Sequence, residues 1–157
     1  MKRHLLIREQ LDERIAKFAD IQYYEPPARG WVHAIRQALN MSMRQLGERL
    51  SISPQSIKKL EEREVSGSVT LSSLRHVADA LDLDLFYGFK PRDGSFDELI
   101  NRQAMKWATQ IIRRSSVQME LEDQKVTDER IAKAIKDQCE ELKRETPKFL
   151  WDFHPIT

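Results

Sequence analysis

Residues 42–64, SMRQLGERLSISPQSIKKLEERE, hold two helix starts in close succession. Ser42 followed three residues later by Gln45 is a capping-box pattern. The serine oxygen can accept from a backbone N–H of the first turn, and the glutamine can reach back to the N–H of the serine. Ser53 followed by Pro54 is the second start, an N-cap and a first-turn proline whose missing N–H has no partner at that position anyway. A helix begun at Met43 must therefore stop near Leu50, and another begins at once. Two short helices joined by three or four residues form the helix-turn-helix unit, whose second helix can lie in the DNA major groove.

Periodicity separates core from surface in this unit. Leu46 and Leu50 lie one turn apart, as do Ile57 and Leu60, and Ile52 sits in the turn, so the five can meet in one apolar seam. Gln55, Ser56, Lys58 and Lys59 are left facing outward. Glutamine can pair with an adenine edge, serine can contact a base or a phosphate, and lysines can reach phosphates. The reading of Gln55 and Ser56 as ordinary first-turn polar residues stays open beside this one.

Charge is segregated although its sum is only +1. From Arg29 to Arg63 seven bases face three acids, a balance of +4; from Glu64 to Ile100 three bases face seven acids, a balance of −4. A locally basic segment can mark a polyanion site. The 157-residue chain is rich in charge and poor in glycine and proline, as expected of a mostly helical protein. It has no apolar run long enough for a membrane span, and its start turns charged before a signal-peptide core could form. Its single cysteine, Cys139, suits a cytoplasmic location and excludes an intrachain disulfide. The four histidines are scattered, so neither a metal site nor a cofactor is expected.

On either side of this unit the pattern stays helical. A first helix is expected from Lys2 to Ala19, with Leu5, Leu6, Leu11, Ile15 and Phe18 near one face, broken by Pro26 and Pro27. A second runs from Trp31 to near Asn40. Thr70 caps a helix whose stripe is Leu71, Leu74, Val77, Ala78 and Leu81. LFYGFKP, from residue 85, reads either as a short strand near 85–90 that a second copy would pair with, or as an aromatic lid on the same domain. Ser95 and Thr127 cap two further helices, the first carrying Leu99, Met105, Trp107, Ile111 and Ile112, the second Ile131, Ile135, Cys139 and Leu142. DERIAK occurs at 12–17 and 128–133 in unlike surroundings and is taken as a shared helix composition. The expected organisation is an N-terminal helix and linker over 1–28, a helix-turn-helix domain over 29–94 and a helical extension over 95–157 for dimer or partner binding. The fold class is all-α.

Residues 42–64 together with TLSSLRHVADALDLDL at 70–85 resemble a Cro/C1-type (XRE) helix-turn-helix domain, with Ser42, Leu46, Ile52, Ser53, Ser56, Ile57, Leu60 and Glu61 at matching positions. The resemblance spans about Arg29 to Leu85. It departs at Met43, where the family usually has a phosphate-contacting glutamine, and at Pro54, where many relatives carry a polar base-reading residue. It implies a DNA-binding transcriptional regulator, most simply a dimeric repressor of its own operon that binds a near-palindromic operator in double-stranded DNA. Arg44, Ser53, Gln55, Ser56, Lys58, Lys59 and Arg63 are the expected contacts. An enzyme is not expected, since no phosphate loop, nucleophile elbow or paired catalytic carboxylates stand out.

The wider pattern, with MELEDQ at 119–124 and LWD at 150–152, is similar to the family called mobile mystery protein A. That similarity implies a toxin-antitoxin-like pair with a Fic-domain protein, and an alternative role as an antitoxin that binds and inhibits it. Ser116 to Glu120, SVQME, has the spacing of the Fic-inhibitory helix motif, with Leu121 in place of its final small or amide residue.

Overall fold

The computed structural model describes residues 3–18, 21, 24–121 and 127–152, without the side chains of 119–121. Within them lie α1 (Arg3–Ala16), α2 (Trp31–Ala38), α3 (Met43–Leu50), α4 (Pro54–Ser66), α5 (Leu71–Ala80), α6 (Phe96–Leu121) and α7 (Asp128–Glu145), then a 3₁₀ turn at Lys148–Trp151. The described residues contain helices and no strand, so the protein is all-α. Two compact units result, one of residues 21–88 and one of residues 1–20 with 89–157.

In the unit of residues 21–88, α2 to α5 close on a core of Val32, Leu46, Ile57, Leu60, Val77 and Leu81. Leu46 and Ile57, from the two short helices, are fully buried. The expected helix starts are present. Ser42 and Gln45 form the complete capping box, Ser53 Oγ accepts from the Ser56 N–H with Pro54 at the first position, and Thr70 Oγ1 accepts from the Ser73 N–H. Met43 packs against the core, which puts the resemblance's departure at this position to apolar use. Ile52 leaves the expected seam: it is 39% exposed, because the tight turn after α3 directs it outward. Leu50 is only half-buried, and Leu71, in the first turn of α5, is exposed.

The turn between α3 and α4 needs a glycine. Ser51 adopts the left-handed conformation, and the Ile52 N–H returns to the Gly47 carbonyl at 2.9 Å. A Cβ on Gly47 would lie 2.6 Å from the Ile52 carbonyl oxygen, so only glycine lets the chain double back this closely. Residues 85–90, where a short strand was one of two expectations, carry no regular structure. A strand requires a partner ladder, and among the described residues none is offered.

In the other unit, Lys143 Nζ lies 3.4 Å from Asp97 while Cys139 Sγ meets Asn101 at 3.6 Å, so α6 and α7 run antiparallel. Ala104 and Ala108 admit α7 closely, and Trp107, Cys139, Leu142 and Leu150 fill the seam. Met105, one of the apolar residues this helix carries, is 41% exposed. The Leu150 carbonyl accepts from Gln103 Nε2 at 2.7 Å and Trp107 Nε1 at 3.3 Å, fixing the 3₁₀ turn against α6. Asp12 of α1 caps α6 by accepting from the Phe96 N–H at 2.7 Å. Of the five residues expected on one face of the first helix, Ile15 alone is buried, while Leu6, Leu11 and Phe18 are exposed, Phe18 lying beyond the end of α1. Burial also raises the pKa of the Cys139 thiol, with the Glu140 charge adding to it and Lys143 opposing.

Candidate nucleic-acid interface

The second helix of the helix-turn-helix, α4, is held from beneath by charge as well as by apolar contact. Arg36 of α2 and Glu61 of α4 are each 5% exposed. Arg36 Nε donates to Glu61 Oε1 at 2.7 Å and Nη2 to Oε2 at 3.1 Å. Arg36 Nη1 also donates to the Met41 carbonyl at 3.1 Å, and His33 Nδ1 lies 3.0 Å from Glu61 Oε2. Burial pushes the Glu61 carboxyl upward, but hydrogen bonds from Arg36 and His33, with their charge, outweigh it and hold the group below its ordinary value. The hydrogen bond to Glu61 raises the Arg36 guanidinium against its own desolvation.

Three residues further along α4, Glu64 turns back to α2. Its two carboxylate oxygens accept from the Trp31 N–H at 2.7 Å and the Val32 N–H at 3.0 Å, replacing a conventional side-chain cap. An acidic group at this end also suits the helix dipole. Gly30 stands at φ 84°, and a Cβ there would meet the Glu64 carboxylate at 2.8 Å. Glu61 and Glu64 thus fasten α4 to α2 and fix the direction its opposite face presents.

That opposite face carries the expected contact residues. Gln55, Lys58, Lys59 and Arg63 are exposed, and among the described residues their side chains have no polar partner. Gln55 and Lys59, four apart, share one line of the helix. Ser53 and Ser56 are engaged with each other: their hydroxyls lie 2.9 Å apart, and Ser56 is half-buried. Arg44 is exposed and paired with Glu48 one turn on. Glu62 joins the outer face beside Arg63 in the C-terminal half of α4, while Gln55, Lys58 and Lys59 occupy its first half, nearer the positive end of the helix dipole.

Ion pairing leaves the unpaired groups of Arg29 to Arg63 mostly basic. Removing Arg36 with Glu61, and Arg44 with Glu48, leaves five bases against one acid, still +4. A surface groove of about 740 Å³ adjoins this face between the α3–α4 turn and α5, and Arg49, Ser51, Ser56, Arg63, Ser73 and His76 are among its lining. Sequence reasoning had not singled out Arg49, Ser73 or His76. Arg49 is held there by donating to the Ala80 carbonyl at 3.2 Å. Ser116 of α6 donates to the Ile112 carbonyl at 2.9 Å within its own helix, and the Glu120 side chain lies outside the described residues.

Residues 32–87 match the family model of helix-turn-helix domains, so the chain carries a Cro/C1-type helix-turn-helix domain, a DNA-binding module. No curated protein and no solved structure matches the chain. No helix among the described residues is long and apolar enough to cross a membrane.

Proposed function

We propose that the protein is a sequence-specific transcriptional regulator that binds a near-palindromic operator as a dimer and represses its own operon. The observation that carries this reading is the outer face of α4, where Gln55 stands free in the first turn with Lys58, Lys59 and Arg63 behind it. An unpaired amide at the head of a major-groove helix reads base edges, and unpaired cations beside it anchor phosphates. Ser53 and Ser56 mainly preorganise this helix start; Arg44 contributes to a phosphate when its bond to Glu48 opens. Two such helices in a dimer enter successive major grooves about 34 Å apart. The helices after residue 94 then serve dimer or partner contacts. The alternative role as an antitoxin against a Fic-domain protein rests on resemblance.

Selection of duplexes from a randomised pool by the purified full chain tests the reading. Enrichment of two inverted half-sites with centres about 10 base pairs apart is expected. Recovery of unenriched DNA, with affinity set only by salt, removes the claim of sequence specificity.

A further inference from the structure

Ser56, Leu60 and Arg63 follow one line of α4, and Ser73, His76 and Ala80 follow one line of α5. The groove beside the recognition face lies between these two lines, with the end of α3 and the turn after it as its third wall, all within the unit of residues 21–88. Ser56 and Arg63 also line the adjoining depression that holds Lys59 and Glu62, so the groove runs into the outer face of α4. Its own charge is positive: Arg49 of α3 and Arg63 of α4 stand against Asp79 of α5. Two donors on α5 are unspent. Thr70 Oγ1 donates to Ser73 Oγ at 2.9 Å, which leaves the Ser73 hydroxyl proton available to another acceptor. His76 is exposed, and among the described residues its ring has no hydrogen bond or ion pair. The reading of α4 as a base-reading helix uses neither residue.

We propose that one phosphate strand of the bound duplex lies along this groove and that His76 takes up a proton from solvent to pair with it, so that DNA binding tightens as pH falls. The inference rests on the DNA-binding part of the proposed function and adds a regulated contact to it. Phosphate oxygens accept from hydroxyl, guanidinium and imidazolium donors, and Ser73, Arg63 and His76 supply one of each along the same groove. Arg49 shapes the wall, since its bond to the Ala80 carbonyl ties α3 to the end of α5. Continuity with the outer face of α4 makes the occupant a strand of the same duplex and not a separate small anion. Histidine is the one side chain whose ordinary titration falls between pH 5 and 8. A phosphate against the ring favours the charged form, as Asp79 one turn further along α5 already does, whereas Arg49 and Arg63 oppose it. The strand brings the additional negative charge, so the complex binds more proton than the free protein. By linkage, affinity then rises on acidification.

Fluorescence anisotropy of the full chain on its selected duplex, from pH 8 to pH 6 at constant ionic strength, is the test. One pKa unit of preference for the charged ring is a factor of ten in affinity, so wild type should gain about three- to tenfold per half-site over this range. His76→Gln should flatten that gain. His76→Lys, charged throughout, should bind at pH 8 about as tightly as wild type at pH 6 and gain nothing on acidification. His33, beside Glu61, titrates alike in wild type and variants, so the difference between them belongs to position 76. His76 is exposed, and unchanged exchange protection of α3 and α4 in both variants verifies the fold. A series of duplexes, each with one phosphate replaced by a neutral methylphosphonate, locates the contact. One position should cost wild type its affinity gain at pH 6 and cost His76→Gln nothing further. A gain that is absent in wild type or persists in His76→Gln, or a series that affects both proteins equally at every position, overturns the groove as a strand site while leaving DNA binding in place. A wild-type chain that binds no duplex at either pH overturns the DNA-binding reading itself.

Discussion

Glu61→Ala should unfold or nearly unfold the helix-turn-helix unit, although Glu61 touches no expected DNA contact. The substitution removes both acceptors of Arg36 and leaves that guanidinium buried at 5% exposure with the Met41 carbonyl as its remaining strong acceptor. Breaking a buried ion pair from one side costs about 3–5 kcal/mol, because the surviving charge is neither solvated nor neutralised. A unit of residues 21–88, at roughly 0.05–0.15 kcal/mol per residue, has only about 3–10 kcal/mol in total. Hydrogen exchange read on peptides of α3 and α4 is the assay, since it isolates this unit from α6 and α7. Protection there should fall by about two to four orders of magnitude. The double change Arg36→Met with Glu61→Leu removes both charges and should recover most of it. The pH dependence has a definite sign. Because the folded carboxyl sits below its ordinary value, its contribution is fully present above about pH 4.3 and is lost as pH falls through the depressed folded value. Wild type should therefore lose more protection on acidification than Glu61→Gln. A loss below about 1 kcal/mol for Glu61→Ala would refute the reasoning and mean that water reaches Arg36.

Three further outcomes are expected. Gln55→Ala should cost about 1–3 kcal/mol on the selected operator and little on random DNA, measured by fluorescence anisotropy; equal losses on both would take Gln55 out of base reading. Lys59→Ala should weaken both DNAs and lower the magnitude of the log-affinity against log-salt slope by about one, and an unchanged slope would mean the lysine touches no phosphate. Gly47→Ala should lower stability by about 1–3 kcal/mol in urea unfolding despite alanine's better helix propensity, because the 2.6 Å approach to the Ile52 carbonyl cannot be relieved by a side-chain rotation; a stabilised variant would show that the turn opens freely.

Local chemistry made the helix starts legible. A serine, proline or threonine at a cap acts on backbone groups within three residues, and Ser42, Ser53, Thr70, Ser95 and Thr127 all accept from the N–H three positions on. Periodicity found the faces of α3 and α4 for the same reason. It misjudged Ile52, whose direction depends on the left-handed Ser51 and not on any helical period. It also overlooked Ala104 and Ala108, which are fully buried because small residues allow helices to approach and not because they are hydrophobic. Arg36 and Glu61 stand 25 residues apart, and Trp31 and Glu64 33 apart; no short pattern signals such pairings. Among the expected contact residues, exposure of Gln55 and the lysines followed from the helical period, whereas the bond between Ser53 and Ser56 and the pairing of Arg44 with Glu48 depend on rotamers.

On the proposed function, the two faces of α4 should allow stability and recognition to be altered separately. Ile57, Leu60, Glu61 and Glu64 face inward, the first two as buried members of the core and the two glutamates through direct hydrogen bonds to α2. Gln55, Lys58, Lys59 and Arg63 face outward and hold nothing inside the unit in place. Changes on the outer face should therefore shift DNA affinity at constant exchange protection, while changes beneath it should lose protection and affinity together. Glu61 and Glu62 make the sharpest contrast, being adjacent in sequence and alike in chemistry. Glu61 neutralises a buried arginine, so its removal leaves a charge stranded. Glu62 lies on the exposed face, where its own charge opposes phosphate, so its removal should leave the fold intact and strengthen binding to any duplex, most at low salt.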